Sequence, residues 1–160
     1  MTEILNKIVA WHESGISFAL ARVVSTWGSA PRRPGSIMLV SEDLKIEGSV
    51  SGGCIEGSVI ESAQSVLESG VSQLLEFGVD NETAWSVGLS CGGRIEVLVE
   101  SWQSIVKSRA GSELLASFRS GKPCVFVTAL GGECGHLDLF LPDSHNARLN
   151  KPSRFPGSAG

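Results

Sequence analysis

Two cysteines adjoin glycine pairs, and both could present a thiol at a tight turn. Cys54 directly follows Gly52 and Gly53, and Cys91 directly precedes Gly92. Adjacent glycines let the backbone turn sharply and let a ligand reach main-chain N–H groups without interference from Cβ atoms. A thiolate is a soft ligand that suits soft metal and sulfur centres. These positions predict a site for a soft, anionic ligand, although Cys54 could instead pack as a small hydrophobic side chain.

The segment around Cys54 leads into an amphipathic helix that is predicted to end at Gly70. The first turn of a helix has unpaired N–H donors and the positive end of the helix dipole, which together favour an anion such as phosphate. A cysteine at this place gains thiolate character. Glu56 lies in the same turn, where its carboxylate could complement the dipole or accept hydrogen bonds from N–H groups of a ligand.

A third glycine-rich segment, residues 27–35, carries Arg32 and Arg33 between two prolines. Arginines could bind phosphate oxygens in a forked geometry, whereas arginines in exposed loops are usually only solvated. All three glycine-rich segments adjoin apolar strands, so they could gather at one end of a sheet, where α/β proteins commonly bind ligands. The turn at Cys91 would then face the turn at Cys54; otherwise it is an ordinary β-turn.

Hydrophobic periodicity predicts strands interleaved with helices, and therefore a single α/β domain over residues 1–141 with a mixed β-sheet flanked by helices. The combination of hairpin and crossover connections is the reason for expecting both parallel and antiparallel pairs. Alternation between residues 94 and 100 predicts that Ile95, Val97 and Val99 face inward and that Glu96 and Glu100 face outward. The predicted helices are 3–13, 55–69 and 112–120, and the predicted strands are 16–24, 37–40, 45–50, 74–79, 94–100, 123–130 and 137–141.

The composition of the 160 residues excludes several classes of protein. The net charge of -4 argues against a nucleic-acid binder, which needs a basic face. No apolar stretch is long enough to span a bilayer, and the start of the chain lacks the pattern of a secretory signal. We therefore expect a cytoplasmic protein that binds neither membranes nor nucleic acid. The polar residues 142–160 are expected to be a disordered tail or a remnant of expression.

The remaining cysteines and histidines predict no catalytic residue and no metal centre of their own. The four cysteines contain no CxxC pair, which argues against a zinc knuckle or a redox motif. The sequence also lacks the Walker-loop motif. We expect Cys124 in the core, Cys134 in a loop, His12 in a structural role, and His136 and His145 without metal-ligand spacing.

Taken in order, the three glycine-rich segments resemble the N-terminal domain of the XdhC/CoxI family, whose members are accessory factors for xanthine dehydrogenase and carbon monoxide dehydrogenase. The resemblance extends over about residues 5–130, and three motifs in this order are more specific than any one of them. The matching residues are Gly28-Ser29-x-Pro31-Arg32-x-x-Gly35-x-x-Met38-x-Val40, then Ser51-Gly52-Gly53-Cys54-Ile55-Glu56, then Ser90-Cys91-Gly92-Gly93-x-Ile95-x-Val97.

The resemblance implies a cofactor chaperone rather than an enzyme. Such proteins transiently bind the molybdenum cofactor, which is of the molybdopterin type, help to secure its terminal sulfur ligand and pass it to an apo-hydroxylase. Cys54 would contact the molybdenum or its sulfur. The implied partners are a molybdenum hydroxylase apoenzyme and a cysteine desulfurase, together with association into a homo-oligomer. The implied cofactor-binding residues are Arg32, Gly52, Gly53, Cys54, Glu56, Cys91 and Gly92.

Two other functions stay open. Cys54 could be the redox or nucleophilic group of a thiol-dependent enzyme, which would require a base within hydrogen-bond reach, and no histidine is placed in the sequence to supply one. The chain could instead be an assembly module that binds a partner without a cofactor.

Many members of the family continue into a C-terminal Rossmann-type domain. The glycine fingerprint of that domain does not follow Leu130 in this sequence. We therefore expect no such domain in this chain and transfer no nucleotide-binding function to it.

Overall fold

A computed structural model of the chain contains a five-stranded sheet with helices on both faces and a second, two-stranded sheet. It describes residues 2–28, 30, 32–78, 93–128 and 130, and the backbone of residues 137–140. The predictions for Cys91, Gly92, Cys134, His136, His145 and residues 142–160 lie outside this range. The helices are α1 (Thr2–Glu13), α2 (Glu56–Ser69), α3 (Trp102–Lys107) and α4 (Arg109–Ser120). The strands are β1 (Phe18–Trp27), β2 (Ile37–Ser41), β3 (Ile46–Gly48), β4 (Gln73–Phe77), β5 (Arg94–Ser101), β6 (Val125–Thr128) and β7 (Leu137–Phe140).

The ends of α2 and α4 follow the predicted glycine signals. Gly70 and Gly121 have φ angles of 72° and 65°, a left-handed conformation that glycine adopts without a steric penalty. The N–H of Gly70 donates to the carbonyl of Val66 at 2.8 Å, which satisfies one of the unpaired carbonyls at the helix end. Both predicted ends are confirmed.

The strands of the large sheet lie in the order β3-β2-β1-β5-β4, and each neighbouring pair is antiparallel. The predicted α/β class, with helices that flank a sheet, is confirmed. The prediction of a mixed sheet is wrong for the described strands. The crossover through α2 joins β3 at one edge of the sheet to β4 at the other edge. These two strands run in the same direction, but three strands separate them, so the crossover creates no parallel pair.

Alternation along β1 divides its side chains between two apolar clusters. Ala19, Ala21 and Val23 belong to the cluster beneath α2, and Phe18 belongs to the cluster formed with α1, α3 and α4. The ring of Phe18 stacks on the ring of Trp102, with centroids 5.7 Å apart. Burial of each such large apolar side chain contributes about 1.5–3 kcal/mol. The sheet is therefore stabilised by packing on both of its faces.

Glu100 in β5 departs from the prediction that it faces outward to solvent. Only 2% of its surface is exposed. Its Oε2 accepts a hydrogen bond from Nη2 of Arg22 at 2.7 Å, and the same nitrogen donates to Oγ1 of Thr128 at 2.6 Å. The Arg22 guanidinium also lies 5.0 Å from the centroid of the Phe126 ring. The prediction fails because the helices and β6 cover this face, so an ion pair rather than water compensates the buried carboxylate.

Helix α3, which the hydrophobic periodicity does not predict, is six residues long and is followed directly by α4. Trp102 and Ile105 are its buried residues. Oγ of Ser108 accepts a hydrogen bond from the N–H of Gly111 at 2.9 Å and so caps α4. A Cβ atom at Gly111 would lie 1.9 Å from the carbonyl oxygen of Ile105. The backbones of the two helices are therefore in direct contact at this glycine.

We expect Gly111→Ala to lower the free energy of unfolding by about 1–3 kcal/mol. The added methyl group would overlap a backbone carbonyl, which cannot rotate away as a side chain can. Urea denaturation followed by circular dichroism measures this change. Gly57→Ala in α2 is the matched control. No atom of the described residues lies within 4 Å of a Cβ at Gly57, so the control should stabilise the chain by about 0.5–1 kcal/mol. If the free energy of unfolding changed in the same direction in both variants, the contact at Gly111 would not be the cause of the effect.

Candidate functional site

The three glycine-rich segments are attached to the same end of the large sheet. The antiparallel pairings make β1, β3 and β4 run in one direction, so all three strands end there, and β2 and β5 begin there. Residues 28–36 follow β1, residues 49–55 follow β3, and residues 78–93 connect β4 to β5. The predicted gathering at one end of the sheet is confirmed for the strand ends that carry these segments.

The turn at Cys54 depends on the two glycines that precede it. Gly52 and Gly53 have φ angles of 85° and 127°, which side-chain-bearing residues rarely adopt. Among the described residues, no atom lies within 4 Å of a Cβ built at either glycine, so these residues leave open space beside the two glycines. The Cys54 side chain is half-buried and packs against the apolar cluster beneath α2. The turn thus places a half-buried cysteine directly after two glycines that the described residues leave uncrowded.

The carboxylate of Glu56, the first residue of α2, binds the loop that precedes it. Its Oε1 accepts hydrogen bonds from Oγ of Ser49 at 2.7 Å and from the N–H groups of Ser51 and Gly52 at 2.9 and 3.0 Å. Its Oε2 accepts hydrogen bonds from Oγ of Ser51 and, at 2.8 Å, from the N–H of Gly53. The main-chain donors that the sequence offers to an anionic ligand therefore bind a carboxylate of the chain itself.

The same contacts determine the ionisation of Glu56. Partial burial by itself would raise the pKa of this carboxyl group. Hydrogen bonds from the Ser51 and Ser49 hydroxyls and from backbone N–H groups outweigh burial and lower the pKa from 4.5 to about 2. Glu56 is therefore a stable anion at neutral pH and a very weak base.

Two serines complete this loop, and the sequence analysis did not identify them as site residues. Oγ of Ser49 accepts a hydrogen bond from the N–H of Gly52 at 2.9 Å, and Oγ of Ser51 accepts one from the N–H of Ile55 at 3.1 Å. Ser51 is also buried. The available signal was the group of short hydroxyl side chains just before a helix, where such residues often bind free backbone N–H groups.

Arg32 lies on a different part of this end of the molecule. Its exposed side chain lines an open groove of about 940 Å³ between α1 and the residues that precede β2 and follow β3. Ser49 lines the same groove, but Cys54 does not. This groove therefore does not bring Arg32 and Cys54 together, and the roles predicted for both residues stay predictions.

The connection that contains Cys91 and Gly92 lies outside the described residues, but both of its ends are fixed. Phe77 pairs with Ile95 across β4 and β5, so the connection starts and finishes at the same place on the sheet. The predicted second thiol turn is therefore attached at the same end of the sheet as the turn at Cys54. Its contact with a ligand stays a prediction.

No group of three or more histidine, cysteine, aspartate or glutamate side chains in the described part of the chain could hold a metal ion. In the same residues, no helix is long and apolar enough to cross a membrane.

Residues 11–78 match the model of the XdhC and CoxI family. This part of the chain belongs to that family. The matched range includes Arg32, the glycine pair, Cys54 and Glu56, so the resemblance expected from the sequence motifs is confirmed for two of the three glycine-rich segments.

Proteins of known sequence agree with this assignment. The chain is 30% identical over 146 residues to YqeB of Escherichia coli, described as an uncharacterized protein, and the match covers 91% of this chain and 25% of YqeB. It is 31% identical over 127 residues to a Bacillus subtilis protein described as a probable xanthine dehydrogenase subunit, covering 78% of this chain and 37% of that protein. It is 32% identical over 91 residues to the molybdenum cofactor insertion chaperone PaoD of E. coli, covering 57% and 28%. The chain thus spans between 25% and 37% of these relatives.

A solved structure has the same fold. The crystal structure of a protein from Bacillus halodurans, described as a xanthine dehydrogenase, superimposes with a TM-score of 0.70 at 25% sequence identity. The superposition covers 89% of this chain and 43% of that protein.

Glu56→Gln is expected to make stability less dependent on pH. The folded-state pKa of Glu56 is about 2, below its ordinary value of 4.5. The carboxylate therefore stabilises the fold fully above about pH 5, and this contribution is lost as the pH falls toward 2. Because the loop is partly exposed to solvent, we expect the variant to be about 1–2 kcal/mol less stable than wild type at pH 7, with a smaller difference at pH 3.

Urea denaturation at several pH values measures this difference. The control is Glu61→Gln, which changes an exposed carboxylate on the same helix and should shift stability by less than about 0.5 kcal/mol. A difference between wild type and Glu56→Gln that stays constant from pH 7 to pH 3 would refute the stabilising role of the charge.

Proposed function

We propose that this chain binds the molybdenum cofactor and transfers it to the apoenzyme of a molybdenum hydroxylase. The observation that carries the proposal is the turn at Cys54, where a half-buried cysteine follows two glycines that the described residues leave uncrowded, in a loop fixed by Glu56. Membership of residues 11–78 in the XdhC and CoxI family supports it, as does the similarity to the insertion chaperone PaoD.

The chain's own residues suit transient binding of a soft cargo. The Cys54 thiol offers sulfur to a molybdenum centre or to its terminal sulfur. Gly52 and Gly53 leave space beside the thiol, so a bulky pterin group meets no Cβ atom at these positions. Glu56 fixes the turn before the cargo arrives, which lowers the entropy lost on binding. In this proposal Cys91 and Gly92 form a second contact, a cysteine desulfurase supplies sulfur, and the chain self-associates.

Chemistry catalysed by Cys54 is less well supported than cargo binding. A thiol nucleophile needs a base within hydrogen-bond reach. Glu56, two residues away, has a pKa of about 2 and accepts hydrogen bonds through both oxygens, so it is a poor proton acceptor. His12 accepts a hydrogen bond from Nε1 of Trp102 at 3.3 Å, in the helical layer on the other face of the sheet. Neither group serves as the base, which favours an accessory role.

Replacement of Cys54 tests the proposal. We expect Cys54→Ser to weaken binding of isolated molybdenum cofactor by at least about tenfold, or 1.4 kcal/mol, because a hydroxyl is a much poorer ligand for a soft centre. Anaerobic equilibrium dialysis, with molybdenum measured by mass spectrometry, gives the affinity. Reconstitution of an apo-hydroxylase by the loaded protein then measures transfer.

Cys124→Ser is the matched control, because Cys124 is also a free, half-buried cysteine but packs in the cluster on the opposite face of the sheet. Its affinity for the cofactor should equal that of wild type. Equal binding by wild type and Cys54→Ser would remove Cys54 from the mechanism. Failure of the wild-type protein to bind cofactor, combined with capture of an apo-hydroxylase, would favour the assembly module instead.

A further inference from the structure

The groove beside α1 has the size and lining of a site for a small molecule. Its volume of about 940 Å³ lies within the usual range for ligand pockets. Ile4 and Ile37 form apolar parts of the lining. Gly48 lies close to both residues. A Cβ at this glycine would lie 2.2 Å from the Ile37 carbonyl oxygen and 3.2 Å from Cδ1 of Ile4. The groove therefore combines an apolar floor with an opening to solvent.

Four charged side chains line the groove, those of Glu3, Lys7, Arg32 and Glu47. Among the described residues, Arg32 is the cation of this group without an ion-pair partner, and Glu3 is the carboxylate without one. Nζ of Lys7 forms an ion pair with Oε1 of Glu47 at 2.7 Å, so these two groups neutralise each other. Arg32 has no ion-pair partner among the described residues and is exposed. Asn6 on α1 supplies an amide to the same groove. A guanidinium binds a phosphate through two parallel hydrogen bonds, and an amide can donate to a third oxygen.

Ser49 connects this groove to the turn at Cys54. Its side chain lines the groove, donates a hydrogen bond to Oε1 of Glu56 at 2.7 Å and accepts one from the N–H of Gly52 at 2.9 Å. A ligand that competes for this hydroxyl would loosen the bonds that fix the loop. Cys54 lies two residues after Gly52, so the accessibility of its thiol would respond.

We propose that this groove binds an organic phosphate, with the phosphate on Arg32 and the organic part on the apolar floor, and that Ser49 transmits its binding to Cys54. The proposal goes beyond transfer of the molybdenum cofactor, because a ligand in the groove need not touch the thiol. It identifies a second ligand site and a route by which that ligand alters the first site.

Calorimetric titration with guanosine 5′-monophosphate tests the binding site, because this probe combines one phosphate with a planar ring. Guanosine, which lacks the phosphate, should bind at least about tenfold more weakly, and so should inorganic phosphate, which lacks the ring. Arg32→Gln should weaken binding of the nucleotide about tenfold. The matched control is Arg33→Gln, which removes the neighbouring exposed arginine that does not line the groove, and it should change affinity less than about twofold.

Alkylation of Cys54, measured by mass spectrometry of the peptide that contains it, tests the connection. The nucleotide should change the alkylation rate of Cys54 at least about twofold, and Ser49→Ala should abolish this effect while the nucleotide still binds. Loss of binding in both arginine variants, or in neither, would overturn the site, as would no detectable binding at millimolar nucleotide. An alkylation rate that the bound nucleotide leaves unchanged would overturn the connection. Calorimetry on Cys54→Ser, which should bind the nucleotide like wild type, keeps this test independent of the cofactor proposal.

Discussion

The hydrogen bonds from the loop of residues 49–53 to the Glu56 carboxylate are the constraint on which the candidate site depends. They bring three consecutive N–H groups and two hydroxyls onto two oxygen atoms. The positive φ angles of Gly52 and Gly53 are compatible with this arrangement because neither residue has a Cβ atom. The cysteine that follows therefore starts from a fixed position at the beginning of α2, although no side chain caps that helix at its N-cap residue.

The antiparallel sheet gives this loop its surroundings. The crossover through α2 joins the two edge strands, so the loop before the helix and the connection from β4 to β5 are attached at one end of the sheet. Helix α2 packs across β1 and β5, on the face where β1 presents small side chains such as Ala19 and Ala21. The Cys54 side chain packs against this same cluster. The position of the thiol is thus coupled to the main core of the domain and not only to its own loop.

Periodicity and turn residues predicted most of the elements, because each depends on local chemistry. The hairpin of β2 and β3 and the helix ending at Gly70 follow from such signals. The family was expected from the resemblance of the glycine-rich motifs taken together, and the match over residues 11–78 confirms it. The direction of strand pairing could not be predicted from local signals. Whether two neighbouring strands are parallel depends on the position in the sheet of the strand that follows the crossover helix. The burial of Glu100 was missed for the same kind of reason, since alternation indicates two faces but not whether a second layer covers the outer one.

The Glu56 carboxylate also determines where an anionic ligand could bind at this end of the molecule. The start of α2 was expected to offer free N–H groups to phosphate, but the carboxylate of Glu56 lies there, binds three N–H groups of the preceding loop and would repel a second anion nearby. In the two proposals, the thiol that would bind a soft centre and the cation that would bind a phosphate therefore lie at different places. Cys54 lies on the side of the α2 cluster, and Arg32 lies in the groove beside α1. Ser49 lines the groove and also binds Glu56 and Gly52, so one side chain connects the two proposed ligand sites.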